Sequence, residues 1–180
     1  MVAAKGGFVI RSDRDDLIIG YWSLIFEYSK GVLALLRLNF PAPAFALLRP
    51  VVDALVKAHV VLIGSEYDVL DIRRDRYNVS YEKDGRRIDE AFGLGSLLDN
   101  YLKHARPLLH SLTHSGKAQL KRRFEGEQVG ASFSDEEVAK LVRNTSSAIY
   151  LVTVLVTRHF GFEEERQAAE RAFLQYGARS

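Results

Sequence analysis

The chain has 180 residues, of which 47% are hydrophobic and 27% are charged, and its formal net charge is +2. This composition predicts one globular domain over residues 1–180 with a sizeable buried core. Because the chain contains no cysteine, disulfides and thiolate metal sites are excluded. The net charge is too small to indicate nucleic-acid binding by itself, so only local basic patches can argue for it.

The start of the chain and its most apolar run bear on localisation. Residues 1–11 lack the apolar core of a signal peptide and are predicted to be a flexible lead-in. The most apolar run, residues 148–156, is about half as long as the ~20 residues that cross a bilayer. We expect a soluble cytoplasmic protein that does not enter a membrane, and the absence of cysteine fits a reducing compartment.

The first helix is predicted from its start signal and its periodicity. Ser12 is followed three residues later by Asp15, which resembles a capping box. Apolar residues then recur at helical spacing as far as Leu36. The two prolines in residues 39–43 predict a turn after this helix.

A second helix is predicted over residues 44–63, with a kink at Pro50. Arg49 and Asp53 are four residues apart on it, which suits an ion pair. Such a pair is usually solvated. Because its neighbours along the chain are apolar or proline, we expect this one to be at least partly buried.

The middle of the chain is more polar. Residues 66–77 predict a short charged helix, whereas residues 78–90 alternate weakly around Asp84-Gly85. We interpret the latter as a short irregular or hairpin insertion near 78–90.

Three further helices complete the predicted fold. Ser96 and Asp99 open one that reaches about residue 109, and Ser134 with Glu137 forms a capping box that opens another, ending near His159. The second of these is apolar on nearly every side after residue 148 and is predicted to be the central buried helix. A shorter helix follows over residues 162–176. The predicted fold class is all-α, an antiparallel helical bundle.

A polar stretch between two apolar segments is the strongest candidate for a functional site. It begins at Arg106, contains His110 and His114, and continues into the cationic residues Lys117, Lys121, Arg122 and Arg123. If the stretch is helical, Arg106, His110 and His114 share one face at i, i+4 and i+8.

Two segments resemble a known group of proteins. Residues 47–56, LLRPVVDALV, resemble an "LLRPLFEA"-type helix, and residues 109–116, LHSLTHSG, resemble an "HSYTHGG" motif. Both belong to an uncharacterised bacterial all-helical family, and Arg122-Arg123, Phe133-Ser134 and residues 141–144 continue the likeness.

The layout of that family is similar to the HEPN superfamily, many of whose members are dimeric RNases in toxin–antitoxin and phage-defence systems. The resemblance implies a HEPN-like homodimer whose partners are RNA and an antitoxin or defence protein. The RNase members separate an arginine from a histidine by four to six residues. Here three residues separate Arg106 from His110 and seven separate it from His114, so neither spacing matches.

Three interpretations of the polar stretch remain. For RNA cleavage, Arg106 would stabilise the developing charge, His110 and His114 would transfer protons, and Lys117, Lys121, Arg122 and Arg123 would hold phosphates. The simpler interpretation is a buried polar network in which His114 bonds to Arg49, Asp53 or Asn144. The third is a metal site at His110 and His114, which needs a further ligand such as Asp53, His59 or Asp99. Nothing in the sequence selects that ligand, so no metal or other cofactor is predicted.

RNA binding or cleavage is therefore the leading hypothesis for function, and whether the protein is an enzyme stays open. The alternatives are a non-catalytic homodimeric interaction module with a structural polar core and a bundle that binds a small ligand or metal.

Overall fold

The computed structural model describes residues 10–93, 95, 96, 98–103, 106, 109 and 133–177. These residues form seven helices and contain no strand, which confirms the all-α bundle. The helices are α1 (Asp13–Arg37), α2 (Pro41–Ala46), α3 (Leu48–Ile63), α4 (Glu66–Arg73), α5 (Tyr81–Phe92), α6 (Asp135–Phe160) and α7 (Glu163–Gly177). Residues 98–103 are also helical. None of the described helices is long and apolar enough to cross a membrane.

The core of the bundle is built around α3. Nine of its 16 residues are buried, and the helix packs against α1, α2, α4, α5 and α6. Its buried side chains join those of the neighbouring helices in one hydrophobic cluster. Burial of each large aliphatic side chain is worth roughly 1.5–3 kcal/mol, so α3 supplies much of the stability of the bundle.

The prediction that the segment from residue 148 is the central buried helix is wrong. Ala148, Val152, Leu155 and Val156 are buried, but Leu151 is 40% exposed. Among the described helices, α6 contacts α1, α3 and α7, whereas α3 contacts α1, α2, α4, α5 and α6. The central position belongs to α3.

The helix predicted over residues 44–63 is divided in two at Leu47. Pro50 has no amide hydrogen for the carbonyl of Ala46, and it lies in the first turn of α3, where a helix has no need of that donor. The Leu47 amide donates to the carbonyls of Pro43 and Ala44, at 3.3 and 3.2 Å. Pro50 thus lies in the first turn of a new helix, instead of kinking one continuous helix over residues 44–63.

The predicted irregular or hairpin insertion near 78–90 is also wrong, because residues 81–92 form α5. Ser80 accepts a hydrogen bond from the Lys83 amide, and Ile88 is fully buried. A side chain at Gly85 would lie 2.9 Å from Cα of Asp99, so this glycine permits close packing on residues 98–103 and does not form a turn. Tertiary packing overrides the local turn preference.

Of the three predicted helix starts, those at Ser12 and Ser134 are confirmed together with their side-chain caps. The Ser12 hydroxyl accepts from the Asp15 amide at the start of α1, and Ser134 and Glu137 form a complete capping box at the start of α6. At the third predicted start, the Ser96 carbonyl accepts from the Asn100 amide at 3.0 Å, but the side-chain cap of residues 98–103 comes from Asp89 of α5. The Asp89 carboxylate accepts from the amides of Leu98 and Asp99, at 3.0 and 2.8 Å.

The start of α1 is fixed by two long-range polar contacts. Arg14 donates to the carbonyls of Val61 and Gly64 at the end of α3. His159, at the end of α6, lies 2.8 Å from the Asp15 carboxylate. Because the first turn of α1 meets the last turns of both α3 and α6, α1 runs antiparallel to both.

The Asp15 contact makes stability depend on acidity. Hydrogen bonds from His159 and from the Arg11 amide hold the pKa of the Asp15 carboxyl below its ordinary value, although burial opposes them. A folded-state pKa below the unfolded one gives a stabilisation that is complete above the unfolded pKa and is lost as pH falls through the folded value.

Asp15→Asn should therefore lower the free energy of unfolding at pH 7 by about 1.5–3 kcal/mol, the usual worth of a hydrogen bond to a charged group. Below about pH 4 the difference from the parent protein should shrink. Urea denaturation at several pH values measures both effects, and Asp16→Asn, at an exposed position one residue away, is the matched control. If the two variants lose equal stability at pH 7, Asp15 does not anchor α1.

Candidate binding cleft

A polar cleft opens beside α3 at the junction with α5. Its volume is ≈ 440 Å³, and it is lined by Arg49, Asp53, Lys57, Tyr77, Asn78, Val79, Ser80, Tyr81 and Arg106. This volume lies in the range of small-molecule sites, which runs from roughly 300 to 1,000 Å³. We call this cavity the Arg49 cleft.

Helix α3 contributes one row of charges to the cleft. Arg49, Asp53 and Lys57 recur every four residues and therefore share one face of the helix. Nε of Arg49 lies 3.5 Å from Oδ2 of Asp53, and both side chains are about 30% exposed (30% and 31%). The ion pair is thus partly buried, as the sequence predicts. Lys57 lies 3.9 Å from Asp75, whose side chain is 97% exposed.

The segment between α4 and α5 forms the opposite wall. The Asp84 carboxylate is buried and accepts hydrogen bonds from the Tyr77 hydroxyl, at 2.6 Å, and from the Ser80 amide, at 2.8 Å. These bonds bend residues 77–80 back over the first turn of α5. The Tyr81 hydroxyl donates to Oδ1 of Asp53 and so joins this wall to α3.

Two tyrosine side chains are held in the neutral form. Burial, followed by the hydrogen bond to Asp53, raises the pKa of Tyr81. Burial and the bond to Asp84 do the same for Tyr77. Both phenols therefore stay protonated at neutral pH and act as hydrogen-bond donors, not as bases.

The charges that line the cleft are unbalanced. Arg49, Lys57 and Arg106 are cationic, whereas Asp53 is the single carboxylate among the described lining residues. Arg106 is exposed, and the Arg49 and Lys57 side chains remain 30% and 20% accessible. An excess of positive charge in a concave, partly desolvated site favours anionic ligands.

The structure brings together three of the residues singled out in the sequence, namely Arg49, Asp53 and Arg106. Asn144, predicted to join the same network, instead lines an apolar pocket of ≈ 250 Å³ on α6, together with Val52 and Leu55 of α3. His110, His114, Lys117, Lys121, Arg122 and Arg123 lie outside the described residues. Their predicted roles therefore stay predictions.

The candidate third metal ligands have other partners. Nδ1 of His59 donates to the Leu55 carbonyl at 2.8 Å, and its ring lies edge-on to Phe92. Burial lowers the pKa of His59. Asp99 accepts from Nζ of Lys103 at 2.8 Å. In the described part of the chain no three His, Asp or Glu side chains are grouped to hold a metal ion.

Sequence reasoning missed Lys57, Tyr77 and Tyr81. Lys57 carried a usable signal, because it is four residues after Asp53 on an otherwise apolar helix. The two tyrosines carried none, since Tyr77 fell at the end of the predicted charged helix, and Tyr81 fell in the predicted insertion and reaches Asp53 only when α5 is a helix.

No protein-family model, curated protein or solved structure matches this chain.

The bond between Tyr81 and Asp53 can be tested through stability. Tyr81→Phe should lower the free energy of unfolding at neutral pH by about 1 kcal/mol, since it removes one hydrogen bond to a half-buried carboxylate. The raised folded-state pKa gives a stabilisation that is present below the unfolded pKa of about 10 and is lost as pH rises through the folded value.

The parent protein should therefore lose stability above about pH 10, and the variant should lose less of it. Chemical denaturation across this pH range makes the measurement. Tyr67→Phe, at a position that is 82% exposed, is the control. Equal behaviour of the two variants would show that Tyr81 does not fasten α5 to α3.

Proposed function

We propose that the protein binds single-stranded RNA and that the Arg49 cleft holds a phosphate-bearing part of it. The observation that carries the proposal is the presence of three cationic side chains and one carboxylate around a concave site of ≈ 440 Å³. Arginine and lysine side chains that neutralise phosphates supply most of the non-specific affinity for nucleic acids.

The spacing along α3 supports a ligand longer than one phosphate. Arg49 and Lys57 are eight residues apart on one face, which corresponds to about 12 Å along the helix axis. Successive groups along a nucleic-acid strand can contact both cations at this separation. Asp53, midway between them, favours a hydrogen-bond donor at the centre of the ligand.

The tyrosine wall supports binding of an unpaired base. Tyr77 and Tyr81 line the cleft, and each hydroxyl is bonded to a carboxylate that fixes the position of its ring. Proteins that bind single-stranded nucleic acid commonly combine a cationic groove with aromatic rings on which bases stack, at about 1–3 kcal/mol per base.

Cleavage is a second candidate, favoured by the position of Arg106 in the cleft wall. In the chain Arg106 is followed by His110 and His114, which have the chemistry for proton transfer at neutral pH. If both histidines reach the cleft, His110→Ala and His114→Ala should abolish cleavage of an oligoribonucleotide without changing its affinity. An oligonucleotide that stays intact with the parent protein would contradict this candidate.

The wider expectations from the sequence remain proposals. These are the HEPN-like layout, a homodimer, and a role in a toxin–antitoxin or phage-defence system with a partner protein. Among the described residues, Leu33 of α1 and Leu151 of α6 are large apolar side chains that are 42% and 40% exposed, and a symmetric interface between two copies would cover such side chains.

The RNA-binding proposal predicts a charge-specific loss of affinity. Lys57→Gln and Arg106→Gln should each weaken binding of a mixed-sequence oligoribonucleotide. Each should also reduce the slope of log affinity against log salt concentration by about 0.7, the value for one phosphate contact on a single strand. Fluorescence anisotropy at several salt concentrations measures both quantities.

The matched control is Arg171→Gln, which removes the same charge from an exposed position on α7. It should leave affinity and slope nearly unchanged. If the control weakens binding as much as the two cleft variants do, binding does not occur in the Arg49 cleft.

A further inference from the structure

Asp53, the central acid of the Arg49 cleft, restricts the identity of the ligand more than the surrounding cations do. Asp53 is the one carboxylate among the described residues of the wall, and it lies one helical turn from Arg49 and one turn from Lys57. Asp53 positions Arg49 and Tyr81, but its charge opposes a ligand that offers phosphate alone, because a carboxylate repels an anion. Its 31% exposed side chain is accessible from the cleft.

Asp53 has hydrogen-bonding capacity to spare. The Tyr81 hydroxyl donates to Oδ1, and Nε of Arg49 is 3.5 Å from Oδ2, at the limit of a hydrogen bond. An ionised carboxylate offers about four lone-pair positions on its two oxygens. The Tyr81 hydroxyl and Nε of Arg49 thus leave room on the Asp53 carboxylate for about two more donors, which a ligand in the cleft would supply.

The geometry of a carboxylate selects among the RNA bases. Its two oxygens accept in parallel from two adjacent N–H groups, and guanine is the RNA base whose Watson–Crick edge presents such a pair, N1–H beside the exocyclic N2 amine. Adenine and cytosine place an acceptor nitrogen next to their amine, which would face the carboxylate unfavourably. Uracil has a single N–H between two carbonyls.

We propose that the cleft is selective for guanine, with Asp53 accepting from N1–H and N2–H of the base; this inference rests on the proposed RNA-binding function. The surroundings fit such a ligand. Tyr81 fixes Asp53 in place and contributes its ring to the wall. Arg49 and Lys57, each about 6 Å from Asp53 along the helix axis, are placed to reach the phosphates on either side of the base.

Mononucleotides test the selectivity directly. Guanosine, inosine and adenosine 5′-monophosphates carry the same phosphate and ribose, and differ in the donors on the base. Titration calorimetry at low salt should give an affinity for the guanosine nucleotide about tenfold higher than for the adenosine nucleotide, as expected for one bidentate base contact. Inosine 5′-monophosphate, which keeps N1–H but lacks the amine, should be intermediate.

Asp53→Asn supplies the matched variant, because the amide has nearly the same shape but presents one acceptor oxygen and an NH₂ group. It should remove the preference for guanine, and it should raise the affinity for the adenosine nucleotide by removing a negative charge. Circular dichroism and the melting temperature show whether the variant is folded. If it is not, the ranking of the three nucleotides with the parent protein is decisive by itself.

The two proposals fail in different ways. Equal, salt-dependent affinities for the three nucleotides would overturn the guanine proposal and leave phosphate binding in place. No binding of any nucleotide or of the oligoribonucleotide would overturn the RNA-binding function and the guanine proposal together. A guanine preference that persists in folded Asp53→Asn would assign selectivity to another group and would overturn the role of Asp53.

Discussion

The burial of α3 is the constraint on which the rest of the structure depends. Its apolar residues occupy the centre of the bundle, and the surrounding helices cover nearly its whole length. Its three charged residues, four apart, are only partly buried, and this row lines the Arg49 cleft. The helix with the largest share of the core therefore also carries the candidate site, so the site rests on a rigid element.

Carboxylates within α5 position the remaining parts of the cleft. Asp84 holds residues 77–80 against the start of the helix, and Asp89 caps residues 98–103, which precede Arg106 in the chain. Both acids are buried, with exposures of 1% and 2%. Asp84 accepts from one backbone amide and one tyrosine hydroxyl, and Asp89 accepts from two backbone amides, which makes the burial of each carboxylate tolerable. Helix α5 thus supports the wall opposite α3 and the start of residues 98–103.

Features that depend on local signals could be predicted from the sequence. Ser12 and Ser134 mark helix starts because a cap needs only one side chain and nearby amides. The partial burial of Arg49 and Asp53 followed from their apolar neighbours. The identity of α5 could not be predicted, because Gly85 looks like a turn until Asp99 is known to pack against it. The cleft was missed for the same reason, since Tyr81 meets Asp53 only through that packing.

We infer that the charged row of α3 and the tyrosines of the opposite wall form a single ligand site. Ultraviolet crosslinking of a bound oligoribonucleotide, followed by mass spectrometry of the peptides, tests it most directly. The account predicts crosslinks at Tyr77 or Tyr81 and within residues 49–57, which disappear when guanosine 5′-monophosphate competes. Crosslinks confined to α7 or to the exposed face of α1 would contradict it.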